Sequence, residues 1–226
     1  MDHTGDVSLG KEIYPKLLSI VEAFLNNAEN GLMLRFTGAT QWNFYDWSEH
    51  LSGRLGQSEE AIPDLVINCL FLMALEHLRA IAQKTDNAFS YDSLLWETRA
   101  RAREAFYDVK KGAFSLTQGG GEFTVLGNAL AILAGIADDA NGICERIVRN
   151  AFSDCSLSMR CFKYDALLLT DEARWKPYVL EEIRRDYSHM LDEGATSVWE
   201  TSEGASAFGN AGSLCHGWSA IPICYL

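Results

Sequence analysis

The segment Glu59 to Lys84 limits the possible folds more than any other part of the chain. Within it Val66, Ile67, Leu70, Phe71, Leu72, Met73 and Leu75 cover nearly the whole circumference of a helix, as on a helix enclosed by neighbours. Such a helix lies inside a packed protein or inside a bilayer. Its longest nearly apolar run, Leu65 to Leu75, has eleven residues with Asn68 as the only strongly polar member, and it ends at Glu76. That is well short of the ~20 residues a membrane span needs, so an inner helix of a globular domain is expected, with no membrane partner.

The flanking pattern repeats this theme. Thr85, Asp86 and Asn87 connect to a more polar helix at about Ser90 to Tyr107, whose Arg99, Arg101, Arg103 and Glu104 suggest a solvated outer face. After a Gly-rich connection at Gly119 to Gly121, the apolar stretch Val125 to Ile136 is followed by a turn at Asp138 and Asp139. Gly142 to Phe152, with Glu145, Arg146 and Arg149, then gives a second outer helix. A third pair is read from the short apolar segment Cys161 to Leu169, followed by Trp175, Val179, Ile183, Tyr187 and Met190 at helical spacing up to Gly194, a good residue to end a helix. Before them all, Leu9, Ile13, Leu17, Val21 and Phe24 mark a helix from Leu9 to Leu25. Gly112 to Thr117 is the best short strand candidate. The class is therefore all-α, built from consecutive helical hairpins, three to four in number. The repetition is of architecture, without a residue-level period of fixed length.

Composition narrows the function. At 226 residues and 48% hydrophobic content the chain can bury one sizeable core. With 19 Lys+Arg against 31 Asp+Glu the formal net charge is −12, which argues against nucleic acid as a partner. Met1 to Gly10 lacks the basic and apolar regions of a secretory leader, and the compartment stays open. The six cysteines form no CxxC or zinc-like spacing and are expected to be reduced and mostly buried. His3, His50, His77 and His189 show no ligand spacing, and Asp138 to Gly142 lacks the alternating ligands of a calcium loop. Gly119 to Gly121 lacks the Lys-Ser/Thr ending of a phosphate loop. Neither a metal nor a cofactor is expected.

Two long loops, Leu32 to Gly53 and Thr201 to Ser213, are too long for simple connectors and are where a helical scaffold carries a site. The first holds Trp42, Phe44, Tyr45, Asp46 and Trp47, flat platforms plus carboxylates suited to polyhydroxylated rings, or alternatively a cluster sealing helix ends with Asp46 as a cap. Just before the second, Trp199-Glu200 sets a carboxylate beside an indole. Sugar hydrolysis uses such a pair, a base for water and a wall for the ring; a surface Glu beside a packing Trp fits the same residues. His216, between small residues in Ser213 to Ala220, can donate to a sugar hydroxyl or orient a carboxylate, or else bond a backbone carbonyl in the core. Cys215 beside it makes a poor nucleophilic dyad, because adjacent side chains diverge.

Taken in order, Thr4-Gly5-Asp6, Trp42 to Ser48, Gly127-Asn128-Ala129-Leu130-Ala131, Gly194 to Glu200 and Ser213 to Trp218 resemble bacterial α-L-rhamnosidases, and more specifically the six-hairpin catalytic domain of glycoside hydrolase family 78. The resemblance implies an (α/α)6 toroid whose inner-helix ends and loops form a sugar pocket, with hydrolysis by inversion. It implies that Glu200 is the general base, that His216 contacts the sugar, and that Asp46 and Trp47 belong to the substrate-binding wall, with carbohydrate as partner.

The family's general acid sits in an acidic, Arg-containing motif earlier in the barrel, and the chain has no counterpart to it. Six elaborated hairpins also need well over 226 residues. The expectation is therefore a single partial toroid domain over residues 1–226, truncated at both ends, whose open edges expose apolar faces that favour self-association. Two alternatives stand beside the hydrolase: a non-catalytic sugar-binding or helical association module, and a six-hairpin glycosidase with a different sugar.

Overall fold

The computed structural model describes residues 5–226, so Thr4 of the first motif and His3 lie outside the described residues. Helix α1 (Ser8–Leu25) leads into a small antiparallel hairpin, β1 (Ala28–Glu29) with β2 (Leu32–Met33). After the aromatic loop come α2 (Leu65–Thr85) and α3 (Asp92–Phe106), then a second hairpin, β3 (Tyr107–Asp108) with β4 (Ala113–Phe114). The rest consists of α4 (Val125–Leu133), α5 (Ala140–Val148), α6 (Arg160–Asp192) and a C-terminal segment of short turns.

Burial sorts these helices into two layers. Helix α4 is buried from Val125 through Ile132, and α2 buries Leu65 through Cys69 together with Phe71, Leu72, Leu75, Leu78 and Ala82. Although 21 residues is long enough to cross a membrane, α2 is a core helix by this burial. Helix α3 buries only the stripe Leu95, Thr98, Ala102 and Phe106, and α5 only Ile143, Cys144 and Ile147. Helix α4 packs between α2 and α6, while α1 and α3 lie on α2, and α5 lies on α4 and α6. Successive inner helices are thus neighbours with outer helices behind them, which is an arc of an all-α toroid.

Boundaries differ from the sequence expectation where one residue overrides periodicity. The inner helix begins at Leu65 instead of Glu59. Pro63 donates no hydrogen bond, and the buried Asp64 carboxylate caps the helix by accepting from the N–H groups of Val66 at 2.9 Å and Ile67 at 3.3 Å. The stretch before it instead pairs with the loop after β2, Arg35 N–H donating to the Ile62 carbonyl at 2.9 Å. The third pair is one continuous element, broken at Asp171 (φ −160°, ψ 91°), whose carboxylate caps the second half through the Arg174 N–H at 3.1 Å. The strand expected over Gly112 to Thr117 contracts to Ala113–Phe114. The cysteines are free; Cys69, Cys144 and Cys155 are buried, Cys161 is half-buried, and Cys215 and Cys224 are exposed.

A residue-level repeat lies under the architectural one. Asn68 and Asn128, both fully buried, sit four residues after the caps Asp64 and Thr124 of the two inner helices. The Asn68 amide accepts from Met33 N–H and donates to the Met33 and Asp64 carbonyls, while Asn128 makes the same three bonds with Phe114 and Thr124. Each asparagine locks the preceding hairpin's second strand onto the first turn of an inner helix. The N-terminal ends of the inner helices are stitched together as well, by Leu65 N–H to the Leu116 carbonyl and Val125 N–H to the Ser153 carbonyl, both 2.9 Å. The long loops emerge at this end of the arc.

Candidate functional site

A cavity of about 410 Å³ opens among these loops. Four segments line it: Phe44, Asp46, Trp47 and Ser48 from the aromatic loop, Asp154 to Ser156 with Ser158 and Met159 ahead of α6, Glu200 and Thr201 with Phe208, and His216 with Trp218. Of the residues singled out from sequence, Glu200, His216, Asp46 and Trp47 meet here. Trp42 and Trp199 do not line it.

Glu200 and His216 arrive on two irregular segments tied together by backbone hydrogen bonds, a short ribbon without regular strands. Glu200 N–H donates to the Ser213 carbonyl and His216 N–H to the Val198 carbonyl, each at 2.9 Å. The loop between them turns back at Gly204 (φ +60°), where a Cβ would stand 2.8 Å from the Trp199 ring. Trp199 is packed under the ribbon against Leu157 and Met190, so it supports the wall from behind. The Glu200 carboxylate is held on one side only: Oε2 accepts from Ser213 N–H at 3.2 Å, and Oε1 has no hydrogen bond within the described residues. The His216 ring lies edge to face with Trp218, centroids 5.7 Å apart.

Asp46 behaves differently from Glu200. Only 1% of it is exposed, and its two oxygens accept from the Trp47 N–H, the Ser48 hydroxyl, and both the N–H and hydroxyl of Ser156. The carboxylate is consumed in fastening the aromatic loop to the segment ahead of α6, 110 residues away. In this setting it caps a loop and has no lone pair left for a ligand. Trp47, by contrast, is 57% exposed and stands between Phe44 at 4.7 Å, Trp42 at 5.8 Å and Phe208 at 6.4 Å. Trp42 braces it from outside the cavity and donates its indole N–H to the Ser52 carbonyl at 2.7 Å.

Phe208, Trp218, Ser156 and Asp154 escaped sequence reasoning as lining residues. Phe208 holds φ 52°, a left-handed position no local pattern announces. Asp154 accepts from the Cys155 N–H at 2.9 Å and pairs with Arg160 at 3.1 Å. Arg160 in turn contacts Glu182 and Asp186, and Lys163 pairs with Glu182 at 2.8 Å, so a buried ionic cluster lies beneath the cavity wall. Burial works to raise the Glu182 carboxyl, but Lys163 and Arg160 outweigh it and hold the pKa below its ordinary value. Burial pushes the Cys155 thiol far up, so it is an inert apolar element of the wall. Among the described residues no cluster of His, Cys, Asp and Glu is arranged to hold a metal.

The sequence profile of the bacterial alpha-L-rhamnosidase 6 hairpin glycosidase domain matches residues 1–155. No curated protein matches the chain significantly. Among solved structures, the chain is similar to a rhamnosidase from Klebsiella oxytoca with rhamnose bound, with a TM-score of 0.74 and 18% identity, over 96% of this chain and 42% of that one. The chain thus spans about two fifths of that protein's length. Glu200 and His216 lie beyond the stretch that the profile matches.

Proposed function

Because the chain belongs to the bacterial alpha-L-rhamnosidase six-hairpin glycosidase domain family, we propose that its aromatic cavity is a pocket for a terminal α-L-rhamnosyl unit, hydrolysed with inversion. The convergence of Glu200, His216 and Trp47 on one cavity carries this reading. A ring face lies against Trp47, Phe208 or Trp218, while the His216 ring nitrogen donates to a hydroxyl. Glu200, anchored through Oε2, uses its free Oε1 to take a proton from water as the water attacks the anomeric carbon.

Inversion also needs an acid to protonate the leaving oxygen, with the two carboxyl groups about 6.5–9.5 Å apart to admit the water. Asp46 is saturated by protein donors and Asp154 is tied to Arg160, so neither cavity carboxylate is suited to that task. This observation favours a second reading of the chain taken alone, in which it binds the sugar without cleaving it.

Release of nitrophenol from a panel of aryl α-glycosides, α-L-rhamnoside included, separates the two when joined to calorimetric titration with L-rhamnose. Hydrolysis that falls roughly 10²-fold or more in Glu200→Gln supports the base role. Rhamnose binding without hydrolysis supports the second reading. Hydrolysis untouched by the substitution removes Glu200 from the chemistry.

A further inference from the structure

Three of the six cysteines are sealed in the core, where burial pushes the Cys69 and Cys155 thiols far up and raises that of Cys144. The other three lie outside it. Cys161 is half-buried in the first turn of α6, and Cys215 and Cys224 are exposed in the C-terminal segment. None of these three is among the residues lining the candidate cavity.

The C-terminal segment runs as a strap from the cavity to the start of α6. His216 and Trp218 stand at its cavity end, and of the short turns over Gly217–Cys224 only Ser219 is buried. Two tyrosine hydroxyls pin it. Tyr187 donates to the Ser219 carbonyl at 2.5 Å, and Tyr225 donates to the Asp165 carboxylate at 2.7 Å with its oxygen 3.1 Å from the Cys161 carbonyl. The Tyr225 ring also meets Tyr164 edge to face, centroids 5.2 Å apart. The residue next to Cys224 is therefore seated on the helix turn that carries Cys161. Burial first, with Asp165 and the Cys224 thiol adding to it, raises the Cys161 thiol above its ordinary pKa, and burial, Asp165 and both thiols raise Tyr225. The two sulfurs and the phenol thus share one neighbourhood. Because Cys224 is exposed, no packing need accounts for its sulfur.

We propose that Cys161 and Cys224 are a dithiol pair that closes to a reversible disulfide and locks the strap, with His216 and Trp218 at its other end, onto α6. A small-molecule disulfide such as oxidised glutathione is the oxidant. The exposed Cys224 thiolate attacks one of its sulfurs, forming a mixed disulfide and expelling one glutathione thiolate. The Cys161 thiolate then attacks the Cys224 sulfur and expels the second, and the expelled thiolates take up the protons that the two cysteines gave up. Two protein thiols are oxidised as one glutathione disulfide is reduced to two thiols. Turns with so little buried open at small cost, which lets the sulfurs reach the ~2.05 Å of a disulfide and leaves the bond open to reduction.

The test incubates the reduced chain with oxidised glutathione and reads peptide maps, intact mass and amide exchange. A crosslinked peptide pair holding Cys161 and Cys224 is expected, reversed by dithiothreitol. In Cys215→Ser, which removes the third cysteine outside the core, the same crosslink should form and the intact mass should fall by two hydrogen atoms. Exchange over Gly217–Cys224 should slow roughly tenfold or more on oxidation, since the crosslink removes open states. In Cys161→Ser glutathione should stay on Cys224 and the strap should exchange as in the reduced chain. Cys224→Ser, at an exposed position, should abolish the crosslink without touching α6. A glutathione adduct that persists on Cys224 of the unsubstituted chain overturns the pair, as does a crosslink between Cys215 and Cys224. A Cys161 to Cys224 crosslink that leaves exchange in the strap unchanged overturns the lock.

Discussion

Two carboxylates in one cavity meet opposite fates because of the donors around them. Asp46 is buried and accepts four hydrogen bonds, whereas Glu200 accepts one and keeps an oxygen free. Removing the Asp46 side chain takes the acceptor from the N–H groups of Trp47 and Ser156, which are only partly open to water, and an unmet donor costs about 1–3 kcal/mol where water cannot replace the partner. Asp46→Ala should therefore lower stability by about 2–4 kcal/mol in urea titration and loosen Trp47, read as a change in indole fluorescence. Ser156→Ala, which leaves its N–H in place, should cost about 1 kcal/mol. A full-strength loss in Ser156→Ala and none in Asp46→Ala would contradict the tether.

The elements are held by buried polar groups that hydrophobic periodicity does not register. Asn68 and Asn128 each satisfy both backbone groups of a strand residue beside an inner helix. Asn68→Leu and Asn128→Leu should each destabilise by about 2–4 kcal/mol, since the N–H and carbonyl of Met33 or Phe114 lose their partners. The two halves of α6 are joined by Lys163 and Glu182, both almost fully buried. Glu182 has a depressed carboxyl, so its contribution is present above the unfolded value of about 4.3 and is lost as pH falls through the folded one. Lys163→Met removes the main opposition to burial and lets that carboxyl rise. The variant should lose about 3–5 kcal/mol at pH 7, the range for breaking a buried pair. The deficit should narrow as pH falls toward about 4.5, because the variant's carboxyl, raised by burial, takes up a proton before the unfolded chain's does and sheds its penalty, while the intact pair keeps its contribution until pH drops below about 4.3; urea titrations at both values read the difference.

At the scale of the molecule, stability is layered while the candidate site is assembled from its outermost parts. Inner helix α4 buries nearly every side chain and α2 about half of its own, including all of Leu65 through Cys69, whereas most of the stretch from Ser202 to Trp218 is exposed. Amide hydrogen exchange should accordingly be slowest in α2 and α4, tracking global unfolding, and fastest between Ser202 and Trp218, where opening needs few contacts broken. Added L-rhamnose should slow exchange at Glu200 and His216 through direct cover, and slow the globally exchanging amides of α2 by the stabilisation that binding supplies. Slowing in α2 with none at Glu200 and His216 would argue against a pocket at these loops.

The all-α class and the inner and outer helix pairs were legible in the sequence, because a helix packed among neighbours carries more apolar residues than one facing solvent, and that property is local; the toroid came only as what the family resemblance implied. The start of α2 was misplaced by six residues, although Pro63-Asp64 carried the signal: a missing donor followed by a capping carboxylate. Loop composition singled out Glu200, His216, Asp46 and Trp47, but nothing local separated Trp47, which faces the cavity, from Trp42 and Trp199, which brace it. An indole's role depends on which neighbours cover it, and Phe208, Ser156 and Leu157 come from other parts of the chain. The same holds for the carboxylates: Asp46 and Glu200 look alike as residue types, and only donors from Ser156, brought 110 positions along the chain, make one a fastener and leave the other an open oxygen.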